Sequence, residues 1–169
     1  PLATMGAHVS DCPNHAIGRV TPFETGGLVA LAGTFGYELD VTRIPEEDRK
    51  MIPEQVALYH QYNDLIREGD YYRIASYSQN HKFDCWQVVD EDKKESLVTF
   101  VQVMCRANFK SRRILLKGLS EETRYEVCFV NETKIQPKVY SGDTLMKAGL
   151  LIPEQQGDFR ARLIHLTAK

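Results

Sequence analysis

The chain is poor in the features that mark a metal or disulfide protein. Its four cysteines, Cys12, Cys85, Cys105 and Cys128, are widely spaced and form no CxxC pair, which removes the common zinc-ribbon and redox patterns. At 169 residues the chain can bury a core without disulfide staples. Two disulfides are arithmetically open, but the cysteines read better as free thiols in a reducing compartment, and the expected location is cytoplasmic. No apolar run approaches the roughly 18–20 residues of a membrane span, and no stretch reads as a secretory leader. An excess of one charge is also missing: 21 basic and 23 acidic side chains leave a formal net charge of −2. Without a basic stripe, nucleic acid and membrane drop out as partners. Tryptophan is nearly absent, Trp86 being the only one, so a row of exposed indoles is lacking.

What is present falls into two parts of different character. Up to residue 36 the chain is rich in glycine and small residues. It carries one strong strand candidate, "LVALAGTFGYEL", whose start at Leu28–Ala32 is continuously apolar, as expected of a strand covered on both faces. Gly33 and Gly36 are read as permitting close backbone approach at its end. Then "IPEEDRKMIPEQVALYHQYNDLIREGD" predicts a short helix opening at Pro45, with Glu46, Glu47 and Asp48 at its positive end. A longer helix follows from about Pro53, because proline resists a helix interior. Val56, Tyr59, Tyr62 or Asn63, and Ile66 make one buried stripe, and Gly69 ends it.

Beyond Gly69 the period changes to two. "YYRIAS", "CWQVVD", "SLVTFVQVMC", "RILLKGL", "RYEVCFV" and "FRARLIHLTA" all read as strands. "DEDKKES" reads as a solvated turn between two of them. In the last strand Arg160, Arg162 and Ile164 alternate against Phe159, Ala161 and Leu163, predicting a mostly basic, exposed face. The expected fold is mixed α/β followed by all-β, with residues 69–169 an antiparallel β-sandwich. Residues 1–68 hold too few strands for a parallel sheet covered on both faces, which points to the last part of a larger α/β domain.

The residues that look chemical cluster in "MGAHVSDCPNHAIGRVTPFET". His8 and His15 with Cys12 between them match no closed zinc pattern, and no third orienting group completes a nucleophile system. Asn14 and His15 read as anchors of the following loop. Asp11 reads as an exposed loop residue. Glu38 and Asp40 read as cap or ion-pair residues just past a strand. Trp86 reads as a core residue, with a sugar platform as its alternative, and "KSRR" at 110–113 as a solvated hairpin.

Taken together, "PLATMGAHVSDCPNH", "GRVTPFET", "VALAGTFGYELD" and "YNDLIREGDYYRI" resemble the C-terminal third of bacterial α-galactosidases of glycoside hydrolase family 36. "LLKGLSEETRYEV", "YSGDTLMKAGLLIP" and "DFRARLIHLTAK" are similar to that family's C-terminal β domain. The resemblance implies the end of a (β/α)8 barrel, with the seventh strand in Pro1–Val9, the eighth in Leu28–Gly36 and the last helices in 46–68, followed by the β-sandwich. It implies retaining hydrolysis of terminal α-galactosides such as melibiose and raffinose by two aspartates, without metal or cofactor. The family's Lys-Trp-Asp and Trp-Thr-Ser-Asp-Asp motifs that carry those aspartates do not occur here, so no catalytic residue is expected in this chain and the segment by itself is expected to be inactive. His8 and Ser10, near the C-terminal end of a barrel strand, are the implied substrate-binding residues, with packing behind the site and loop hydrogen bonds as the alternative reading. Ala16 stands where the family has glutamine, and Gly26 where it has arginine, which removes a fork of donors. α-Galactoside oligosaccharides and a second copy of the chain are the expected partners. The competing readings are a carbohydrate-binding module, which would need exposed aromatics on one sheet face, and an oligomerisation domain.

Overall fold

Residues 2–108 and 111–169 are described by the computed structural model. Pro1, which opens the expected seventh strand, and Lys110 of the 110–113 run lie outside the described residues. The chain divides into two compact units between Glu68 and Gly69.

The first unit is a two-stranded parallel sheet with helices packed on it. After a 3-10 turn at Leu2–Thr4, β1 (Gly6–Ser10) pairs in parallel with β2 (Thr34–Glu38), Gly6 opposite Thr34 and Ser10 opposite Glu38. Between them lies α1 (Phe23–Ala30). Leu28–Ala30 is therefore helical, and the expected eighth strand at Leu28–Gly36 moves to Thr34–Glu38. A short apolar run fits a buried helix as well as a buried strand, so packing decides. Here Pro22 stands at the helix N-cap, and the bare backbone of Gly27 admits Gln55 so closely that an added Cβ would lie 2.3 Å from its carboxamide. Gln55 Nε2 then donates to the Phe23 carbonyl at 3.2 Å, while its Oε1 accepts from the Tyr37 hydroxyl at 2.8 Å. Gly33 makes the expected close approach, a Cβ there falling 2.4 Å from the Met5 carbonyl, whereas Gly36 has open space around it.

The helices after Pro45 follow the expected pattern: α2 spans Glu46–Arg49 and α3 spans Ile52–Glu68, with Pro53 in the first turn. Tyr62, rather than Asn63, joins Ile66 on the buried side, together with Gln55. Val9, Phe23 and Ala30 form one buried cluster of this unit, with Ala7, Phe35, Tyr37, Ile44 and Met51 packed around them, and Leu28, Leu31, Tyr62 and Ile66 are buried as well.

The second unit is antiparallel. A six-stranded sheet runs in the order β3 (Asp70–Ala75), β4 (Phe83–Val89), β5 (Glu95–Gln102), β10 (Arg160–Ala168), β7 (Arg124–Phe129), β8 (Lys138–Ser141). One short helix, α4 (Tyr77–Asn80), links β3 to β4, and another, α5 (Gly142–Lys147), follows β8. The small sheet β6 (Arg112–Ile114) with β9 (Leu150–Ile152) supplies the second layer. Ile114, Leu116, Leu145, Leu150 and Ile152 close over Cys85, Val98, Phe100, Val127, Ile164 and Leu166. The expected mixed α/β region followed by antiparallel sheets is what the chain adopts.

Three local readings change. Both faces of β10 are covered: Ala161 and Leu163 are buried on one, and on the other Ile164 and Leu166 join the sandwich core with Arg162 3% exposed beside them, so the expected basic outer face keeps only Arg160. The Arg162 guanidinium is held by Glu132 and by the carbonyls of Pro153 (2.6 Å) and Glu154 (3.2 Å). Trp86 alternates with Cys85 and Gln87 on β4 and is half-buried, outside the sandwich core. Arg112 and Arg113 form the start of β6 rather than a solvated hairpin, Arg112 lying 5.3 Å over the Phe83 ring. The turn at "DEDKKES" is as read, closed by the Asp90 carboxylate accepting from the Glu95 amide at 2.7 Å. All four cysteines are free thiols.

Candidate functional site

Alternation along β1 and β2 sorts their side chains onto two faces. Ala7, Val9, Phe35 and Tyr37 pack toward the helices. Gly6, His8 and Ser10 of β1, with Thr34, Gly36 and Glu38 of β2, therefore line the other face. The helix-covered face is aromatic and tightly packed, with Phe35 edge-on to Tyr37 at 5.3 Å. The other is polar and nearly bare. Because the strands are parallel, both C-terminal ends, Ser10 and Glu38, lie at the same edge of the sheet. That edge is where barrels of this kind build their sites.

His8 stands opposite Gly36, and its Nε2 lies 2.5 Å from Glu38 Oε2. Both side chains are accessible, 47% for His8 and 73% for Glu38. Ser10 is half-buried directly opposite Glu38. Neither Gly6 nor Gly36 has any atom within 4 Å of a built Cβ, and neither takes a positive φ. Glycine in a strand costs roughly 0.5–1 kcal/mol relative to alanine, and here neither turn geometry nor local packing requires it. Such glycines mark places where a ligand or another backbone comes close.

The loop after β1 is a self-contained structure. Asn14 Oδ1 accepts from the amides of Ala16 and Ile17, both at 3.1 Å. The Asn14 amide donates to the Arg19 carbonyl, and Gly18, at φ +65°, donates back to the Asn14 carbonyl. Asn14 is thus the anchor it was expected to be, and His15 and Ala16 sit exposed on the turn it organises. Cys12 Sγ donates to the Thr21 carbonyl at 3.3 Å. Among the described residues no three His, Cys, Asp or Glu side chains are grouped to hold a metal. Gly26 lies on α1 against β1, where a Cβ would only touch Val9 at 3.4 Å.

The acidic groups divide by environment. Asp40 accepts from both the hydroxyl (2.6 Å) and the amide (2.9 Å) of Thr42. Those bonds hold its carboxyl below the usual range and tie it to its own turn. Asp11 is exposed on the loop. Glu38 reaches the polar face as the last residue of β2 rather than beyond the strand, and it makes the ion pair expected of it, with His8 as the partner. Its pairing with His8 needs the parallel register, which no spacing within the sequence reveals.

Comparison with known proteins matches this geometry to one enzyme family. The family profile "Melibiase" matches residues 1–69, and "Glycosyl hydrolase family 36 C-terminal domain" matches residues 83–166. The chain is 38% identical over 168 residues to "Alpha-galactosidase AgaA" of Geobacillus stearothermophilus, covering 99% of the chain and 22% of the relative. It is 36% identical over 168 residues to "Alpha-galactosidase Mel36A" of Lactobacillus acidophilus, again 99% and 22%. A crystal structure of a variant of AgaA from Geobacillus stearothermophilus in complex with raffinose superimposes with a TM-score of 0.91 at 37% identity, covering the whole chain and 22% of that structure. The chain thus spans about a fifth of these relatives, rather than a third, and corresponds to their C-terminal end.

Proposed function

We propose that this chain, which belongs to glycoside hydrolase family 36, is the C-terminal part of a retaining α-galactosidase acting on terminal α-galactosides of the melibiose and raffinose type. The observation that carries the reading is the unbroken match of 99% of the chain, across both units, to α-galactosidases. Retaining hydrolysis needs two carboxylates about 5 Å apart, one to attack the anomeric carbon and one to protonate the leaving oxygen and later activate water. The motifs that carry those aspartates are absent from these 169 residues. In this reading the nucleophile and the acid/base come from other parts of the enzyme, and this segment supplies wall and support.

Its contribution to the sugar site is the polar face of β1 and β2. His8 and Ser10 offer hydrogen-bonding groups at spacing two on one strand, facing the same side, which suits adjacent hydroxyls of a pyranose ring. Interactions of this kind hold substrate and transition state alike, so they act chiefly on KM. The same reading makes the protein a cytoplasmic enzyme that assembles with copies of itself, and no helix among the described residues is long and apolar enough to cross a membrane.

The test is the full-length polypeptide that carries this segment, incubated with melibiose and raffinose and followed by proton NMR. Release of galactose whose first-formed anomer is α is the expected result. First-formed β-galactose, or no galactose at all, would refute the assignment.

A further inference from the structure

The carboxylate at the end of β2 has no role in the reading so far, yet it makes the one side-chain contact on the polar face that fixes His8. We propose that Glu38 is a positioning residue: it accepts the His8 Nε2 proton and holds the imidazole so that Nδ1 stands as a hydrogen-bond acceptor for a sugar hydroxyl above Gly36. The proposal rests on the reading of this face as the sugar-facing one.

Three observations support it. The Nε2–Oε2 contact of 2.5 Å joins side chains of neighbouring parallel strands. A neutral imidazole that donates from Nε2 to a carboxylate is fixed in that tautomer, and its other nitrogen is then an acceptor. No described residue donates to His8 Nδ1. An exposed ion pair contributes little to stability, because two side chains must be ordered against water and salt; its value lies in orientation. Finally, the residue opposite His8 is Gly36, with nothing within 4 Å of a built Cβ. Within this segment the ring is held from the Glu38 side, and the residue beside it on the glycine side carries no side chain, the arrangement of an oriented recognition group with room for a ligand over its neighbour. Ser10, directly opposite Glu38, lies one step further toward the strand end and offers a hydroxyl to the same ligand.

The test is a double-mutant cycle in the full-length polypeptide, with KM and kcat for an α-galactoside as separate readouts. His8→Ala is expected to raise KM by about tenfold, the loss of one good hydrogen bond. Glu38→Ala is expected to raise it by several-fold with kcat nearly unchanged. Glu38→Gln, which keeps an acceptor oxygen at the same reach, is expected to return most of the loss. The double variant His8→Ala/Glu38→Ala should be no worse than His8→Ala alone, because Glu38 acts only through the ring. Additive losses would overturn the proposal by making Glu38 a direct sugar ligand, and so would a Glu38→Ala enzyme with wild-type KM beside an impaired His8→Ala enzyme. An unchanged KM in His8→Ala would instead overturn the underlying reading of the face. In this segment the His8 and Glu38 side chains are 47% and 73% exposed, and circular dichroism of each full-length variant is expected to match the parent.

Discussion

At the scale of single residues, the most consequential side chain for stability is Arg162. A guanidinium 3% exposed is tolerable only with its donors occupied, and Glu132 and two carbonyls occupy them. Glu132→Ala leaves that charge buried with neutral partners alone, and we expect a loss of about 3 kcal/mol of unfolding free energy, within the range for breaking a buried pair. Replacing both residues by apolar ones of similar size should recover most of it, since the pair's desolvation cost disappears with the pair. Urea denaturation of the single and double variants, followed by the fluorescence of Trp86, checks both statements. Equal losses for the two would show that packing of the arginine stem, and not its charge, is what matters. Alternation sorts Arg162 onto the face of Ile164 and Leu166, and that face turns out to be the core-facing one, because a period of two does not say which face the second layer covers.

At the scale of elements, the contact between α1, β2 and α3 turns on Gln55 and Tyr37. The Tyr37 hydroxyl donates to Gln55 Oε1, and burial pushes its pKa up from the usual 10 to about 12. In the unfolded chain the phenol ionises near its ordinary value, so the folded state holds the proton more tightly. This contribution is fully present below about pH 10 and is lost as pH rises toward about 12. Between those values the denaturation midpoint of residues 1–68, followed by amide exchange in α1 and β2, is expected to fall. The fall should be shallower in Tyr37→Phe, and an equal fall in both would remove Tyr37 as its cause. The elements also show what a sequence can display. The helices α2 and α3 are legible because Pro45, Pro53 and a three- and four-residue apolar spacing mark start and face. The strands β3, β4, β5, β7 and β10 are legible by their period of two. The helix α1 is not, since its apolar run fits both periods until Gly27 meets Gln55. Four short elements, α4, β8, α5 and β9, escape such a reading because three to six residues carry too little pattern. The polar face was half legible: His8 and Ser10 share a strand, whereas Glu38 and Gly36 join them only through the parallel register.

At the scale of the whole molecule, the two units differ in how much of their own surface they can close. Among the described residues the second unit buries twenty apolar side chains, whereas the first buries seven. Its two-stranded sheet leaves both outer edges without a strand among the described residues, and small sheets of this kind are marginal alone. Limited proteolysis with mass spectrometry is therefore expected to leave a resistant fragment that contains Trp86 and ends at Lys169. Loss of the 69–169 region ahead of residues 1–45 would contradict that ordering. The central claim is that the segment belongs to an α-galactosidase but does not carry its reacting groups. The most direct measurement is the initial rate of a chromogenic α-galactoside with the purified 169-residue chain, read beside the full-length polypeptide at equal molarity. The account predicts turnover by the full-length protein and a rate for the isolated chain indistinguishable from buffer. Hydrolysis that co-purifies with the isolated chain, and disappears when one of its own aspartates is replaced, would contradict it.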